Sequence, residues 1–173
     1  MRIGRAAWSR IALALGWAWA LPVPAQAGPV NGLALYLGGV VARQGDLHST
    51  GVSLGGDAQF TLNDRWSLNP CLYVSAEGAS GSQRVSDGLG GIQVRHWQGN
   101  WFLGGQIFYH DRLLSQDGGL LSSQYGPGLG AVTGWEGPSG WIVDAQVDAL
   151  EGQFFSPDDR RTALRVHVGY RWR

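Results

Sequence analysis

The chain has 173 residues, 44% of them hydrophobic, with 13 basic and 13 acidic side chains and a single cysteine. Every basic residue is arginine, yet no run of them forms the clustered basic surface that phosphate backbones require, so a nucleic-acid partner is excluded. Cys71 stands alone, which rules out an intramolecular disulfide and suits a small buried side chain in a strand.

The first element is a targeting segment. Arg2, Arg5 and Arg10 precede an apolar run from Ile11 to Leu21, and the small-residue triplet Ala25, Gln26, Ala27 follows, the pattern of a secretory signal peptide cut after Ala27. Eleven apolar residues fall short of the roughly 20 that a spanning helix needs. Residues 28–173 then form one domain, with ten basic and thirteen acidic residues and a formal charge of −3.

Beyond residue 27 the hydrophobic period is two rather than 3.6, which predicts strands. Leu33 to Ala42 is the first, and in the second Val52, Leu54, Gly56, Ala58 and Phe60 alternate with Ser53, Gly55, Asp57 and Gln59. The third runs from Trp66 through Leu68, Pro70, Leu72 and Val74, and the fourth from Val85 to Trp97. Trp101 to His110 is the fifth, glycine-rich Gln124 to Trp135 the sixth, Trp141 to Ala149 the seventh and Ala163 to Trp172 the eighth. Each comes near the approximately 9 to 11 residues of a tilted strand that crosses a bilayer. Pro70 and Pro127 remove ladder donors and predict bulges or local breaks.

The links alternate in length. Residues 63–65, 99–100 and 136–140 are short, whereas Arg43 to Ser49, Ala79 to Arg84, Asp111 to Ser123 and Glu151 to Arg161 read as longer polar loops. Trp66, Trp97, Trp101, Trp135, Trp141 and Trp172 gather at the short-turn end, as an aromatic girdle at a membrane interface would. That places the apolar face toward lipid and Asp57, Asn69, Gln93, Arg95, Gln106, Asp144, Gln146, Asp148, Arg165, His167 and Arg171 in the lumen. The expected architecture is all-β, an eight-stranded antiparallel up-and-down transmembrane barrel, closed because an open edge in hydrocarbon leaves backbone groups unsatisfied.

The signal peptide, the eight-strand meander, the short turns and the aromatic-rich last strand together resemble the small outer-membrane barrels that include the OmpX-like, OmpA-transmembrane and opacity proteins. The resemblance implies the bacterial outer membrane as location and lipid and lipopolysaccharide as surroundings. It also implies that the insertion machinery reads the last strand through Leu164, Val166, Val168, Tyr170 and Trp172. The terminal Arg173 departs from the usual aromatic last residue.

Eight strands leave an interior that side chains fill, so a diffusion pore is not expected and the polar lumen must satisfy itself. Arg95, Asp144, Asp148, Arg165, His167 and Arg171 are its expected structural network. Across the last hairpin, Asp148 opposite Arg165 puts Gln146 opposite His167, Asp144 opposite Gly169 and Ile142 opposite Arg171. The enzyme comparison is with barrels that modify lipid A, for which His110, Asp111 and Ser115, with His48 and Ser49, are the candidates. Neighbours in a strand point apart, and no arrangement places a base within reach of a hydroxyl with a third group to orient it.

The four histidines, His48, His96, His110 and His167, lack zinc-site spacing, so no metal is assigned. Neither Gly88 to Gly91 nor Gly126 to Gly130 opens a helix, so no cofactor site is assigned either. The leucine pairs of Asp111 to Ser123 and the phenylalanines Phe154 and Phe155 suit contacts with lipopolysaccharide, an envelope protein or each other. Three readings follow: a barrel with a structural or surface-interaction role, a lipid A acyl hydrolase or transferase, and a soluble periplasmic ligand-binding barrel with reversed faces.

Overall fold

The computed structural model of the chain describes residues 30–79, 81–151 and 160–173. The expected signal peptide, and Phe154 and Phe155, lie outside these residues. Period-two patterning becomes eight strands: β1 (Val30–Gln44), β2 (Leu47–Asn63), β3 (Trp66–Ala79), β4 (Gln83–Gln98), β5 (Trp101–Gln116), β6 (Gly119–Glu136), β7 (Trp141–Glu151) and β8 (Arg160–Trp172). Each pairs antiparallel with its neighbours in the chain, and β1 pairs with β8, so the sheet closes into a barrel. Closure leaves no strand edge with a row of unpaired donors and acceptors.

The faces are inverted relative to a water-soluble barrel. Leu33, Leu35, Leu37, Leu103, Ile107 and Leu129 are exposed on the outside, while Arg95, Arg165, Arg171, Asp57, Asp144 and Asp148 are buried within. The soluble reading with an apolar interior is therefore overturned: the interior holds the charges.

Each proline coincides with an interruption or an end of one of its two ladders. The β2–β3 ladder runs Asp57 to Cys71 and resumes at Phe60 and Leu68, so Pro70 falls in the gap. Pro127 stands one residue beyond the first β6–β7 pair, Gly128 with Leu150.

Three of the four predicted long loops contract. Residues 43–49 resolve into β1, a turn at 45–46 and β2, while β3 runs to Ala79 and β4 begins at Gln83. Most of 111–123 is strand: β5 and β6 meet at Asp117 and Gly118, both with positive φ (50° and 82°). An Asp-Gly pair that accepts positive φ at both positions is the strongest short-range hairpin signal, and the flanking leucine pairs mask it. Of 151–161, residues 152–159 lie outside the description.

The register of the last hairpin differs from expectation by two residues. Asp148 faces Ala163, Gln146 faces Arg165, Asp144 faces His167 and Ile142 faces Gly169. A slip of two returns every side chain to its own face, so alternation carries no information against it.

At Gly130 the absence of a side chain is structural. A Cβ there would lie 2.7 Å from both Asp148 Oδ1 and Gln106 Nε2, blocking the hydrogen bond that these two make over β6. At outward-facing Gly105 a Cβ would meet only Gly130 O at 3.9 Å. Overpacking costs about 1–3 kcal/mol, so Gly130→Val is expected to lower stability by that amount while Gly105→Val has little effect. Urea unfolding of the barrel refolded in lipid vesicles measures both.

Candidate functional site

The interior is the most elaborated part of the molecule, and it is built because every second residue of each strand points into it. Near the chain ends, Asp57 on β2 is the hub. Its Oδ2 accepts from Tyr36 Oη (2.5 Å) and Arg95 Nη2 (2.6 Å), and its Oδ1 from Arg171 Nη1 (2.8 Å) and Asn69 Nδ2 (3.3 Å). Arg95 also donates to Gln93 Oε1 and lies 4.6 Å over the Phe102 ring. Arg171 donates through Nε to Glu136 Oε2 (3.1 Å), and Glu136 also pairs with Arg173.

The middle tier is neutral or lightly charged. Tyr73 Oη accepts from Gln146 Nε2 (2.7 Å) and Gln93 Nε2 (3.4 Å), and Gln93 also donates to Gln106. His167 stacks on Tyr73 with centroids 5.2 Å apart, donates through Nδ1 to Asp144 Oδ1 at 2.9 Å, and sets Nε2 3.1 Å from Ser53 Oγ. Above it, Arg161 bridges Glu77 (2.5 and 2.6 Å) and Asp87 (2.7 Å), while Arg165 reaches Asp87 (3.1 Å) and pairs with Asp148. Ser49 and Ser75 complete the shell of Glu77.

Arg95, Asp144, Asp148, Arg165, His167 and Arg171 thus all lie inside, but in two charged tiers and a middle one rather than one hairpin network. Sequence reasoning missed Glu77, Asp87, Arg112, Glu136 and Arg161. Glu77, Asp87, Arg112 and Arg161 each sit an even number of residues from an inward position on their own strand (Asn69, Gln93, Gln106 and Arg165), so carrying the alternation further along each strand finds them, and Glu136 follows from the opposite parity of outward Leu129.

The catalytic candidates are not brought together. His110 points into the lumen and is fully buried, whereas Asp111 and Ser115 are half-buried on the other face, Ser115 bonding Arg84 O at 3.5 Å. His48 is exposed, and Ser49 is buried on Glu77.

The tryptophans also divide. Trp66, Trp101, Trp141 and Trp172 are exposed on the outer surface, with Trp135 half-buried beside Trp101. Trp97 is a correction: the parity that sends Arg95 inward sends Trp97 inward too, where Nε1 donates to Ser67 Oγ (2.9 Å) and the ring packs 4.9 Å from Phe102.

No protein-family model matches the chain, and no curated protein does. Solved structures do. Neisserial surface protein A is 14% identical with a TM-score of 0.63, the match covering 82% of this chain and 96% of that one. The attachment invasion locus protein Ail of Yersinia pestis is 12% identical with a TM-score of 0.59, covering 82% and 97%. The structure of outer-membrane protein Ail in a phospholipid bilayer nanodisc is 14% identical at a TM-score of 0.50, covering 82% and 99%. The fold is that of the small eight-stranded outer-membrane barrels.

Removing one partner of a buried ion pair leaves an uncompensated charge and costs about 3–5 kcal/mol. Asp57→Ala strands the Arg95 guanidinium, leaving Arg171 with Glu136 as its remaining carboxylate, and is expected to cost that range in vesicle unfolding. Ser53→Ala, which removes one neutral partner of His167, should cost only about 1 kcal/mol.

Proposed function

We propose that the chain is an outer-membrane protein whose barrel is a rigid support for interactions at the cell surface, with a lumen closed to diffusion by its own side chains. The observation that carries this reading is the inversion of faces: leucines outside, paired charges inside.

Heights along the wall support a bilayer setting. The outward tryptophans mark the end that carries both termini, and Tyr109 and Tyr125 stack on the outside further up, with ring centroids 6.4 Å apart. From Trp101 to Tyr109 is eight residues, about 20 Å at roughly 3.3 Å per residue and a tilt of roughly 40°. That compares with an apolar band roughly 25 Å tall between the aromatic girdles of such barrels.

Beyond Tyr109 and Tyr125 the β5–β6 hairpin continues to its tip with Leu120 and Leu121 exposed. Solvated leucines on a rigid projecting hairpin suit contact with lipopolysaccharide or an envelope protein, and this hairpin is where we place the surface role. The last strand, with Leu164, Val166, Val168, Tyr170 and Trp172 on its outer face, is the segment we assign to recognition by the insertion machinery.

Density-gradient separation of envelopes, with fractions run heated and unheated, tests the location: recovery in the outer membrane with a heat-dependent mobility shift is expected, and recovery in soluble periplasm sinks the reading. Orientation is tested by cysteine labelling with a bulky maleimide. Native Cys71, buried in the lumen, should stay unlabelled. Ser82→Cys should label on intact cells, and Ser139→Cys only after the envelope is permeabilised.

A further inference from the structure

Among the described residues, Arg112 is the one buried arginine that no carboxylate holds. Arg95, Arg161, Arg165 and Arg171 each have an Asp or Glu oxygen within 3.1 Å. Arg112, 4% exposed, donates Nη1 to two neutral amide oxygens, Gln44 Oε1 and Gln124 Oε1 (3.1 Å), and its buried Nε has no partner. Two residues back on the same face of β5, His110 is fully buried with neither ring nitrogen bonded. Elsewhere in the lumen charge is matched to charge; here a cation and an imidazole are left open.

The opening lies beside Arg112. A cleft of about 210 Å³ is lined by Arg112, Gln44, Gln124 and Ser122 on its polar side and by Leu47 and Leu114 on its apolar side. It sits at the barrel mouth away from the chain ends, where β1, β5 and β6 converge. A desolvated guanidinium without a counter-charge is costly, and its planar donors match the oxygens of a carboxylate or phosphate. Gln124 and Ser122 add neutral donors that do not repel an anion.

We propose that this cleft binds an oxyanion, a phosphate, sulfate or carboxylate group, with Arg112 supplying the counter-charge. The proposal rests on the surface-interaction reading for the side from which the ligand arrives, and not for the binding itself. Arg112 points into the lumen and away from lipid, so the anionic group comes from solution rather than from a neighbouring lipid headgroup.

The full-length barrel in zwitterionic micelles is titrated with inorganic phosphate and with sulfate at constant ionic strength, and followed by calorimetry and by the urea midpoint. Saturable binding is expected, weakened at least tenfold by Arg112→Gln and measurably by Gln124→Ala. Anion should raise the wild-type midpoint and leave that of Arg112→Gln unmoved. Without anion, Arg112→Gln should unfold no earlier than wild type, whereas Arg95→Gln, which empties a held position, should unfold earlier. Where Arg112→Gln does not fold, Gln124→Ala carries the test.

Absence of saturable binding by phosphate and sulfate, or full binding in both variants, overturns the proposal. Phosphatidic acid mixed into the micelle separates the sources: saturation by it alone, with none by soluble anions, moves the oxyanion to a lipid headgroup and overturns arrival from solution. Cysteine labelling that reversed the two barrel ends would overturn the outward orientation while leaving anion binding in place.

Discussion

Asp57 divides its two carboxylate oxygens between Arg95 of β4 and Arg171 of β8, and much of the molecule is arranged around that division. A closed sheet facing apolar surroundings must turn its polar side chains inward, and eight strands leave little room for water to solvate them. Charges in such a space are costly unless paired, and apart from Arg112 each buried arginine here has a carboxylate. The same requirement fixes neutral partners such as Tyr36, Asn69 and Gln93, which take up what the ions leave over.

Burial usually separates apolar from polar residues, and here it does so with the sign reversed. Leu33, Leu35 and Leu37 of β1 are more than half exposed, while Tyr36, between them, is 1% exposed. One short segment therefore states the whole design. The side chains that specify the fold are polar, large and mutually bonded, and the side chains that make it compatible with an apolar exterior need no detailed fit.

Architecture was legible in the sequence because period-two alternation survives any mutation that keeps polarity, and eight stretches of it leave few topologies. Strand ends were less legible, since the alternation fades beyond the apolar belt: in β5 after Tyr109, Asp111 stands on the outer face and Leu113 and Leu114 fall on opposite faces, and in β3 after Val74 the outer positions are the small Ala76 and Gly78. Register was not legible at all in the last hairpin, because the two-residue slip seen at Asp144 and His167 preserves both faces. Trp97 was legible and overlooked: proximity to the other tryptophans along the chain outweighed the parity that Arg95 had already set. The mouth at Arg112 could not be read from sequence, because Gln44 and Gln124 come from β1 and β6 and meet it only when the barrel closes.

Glu136, the last residue of β6, holds Arg171 of β8 and Arg173 just beyond it, while β1 pairs with the edge of β8 that faces away from β7. The final segment is thus gripped by an adjoining ladder and by a carboxylate two strands away. A barrel lacking it would be more than an open sheet: Asp57 would keep Arg95 but lose Arg171, and Glu136 would lose both of its cations and be left as an unpaired acid group. The charge pairing acts in this way as an inspection of closure, since Glu136 finds its cations only when β8 has docked.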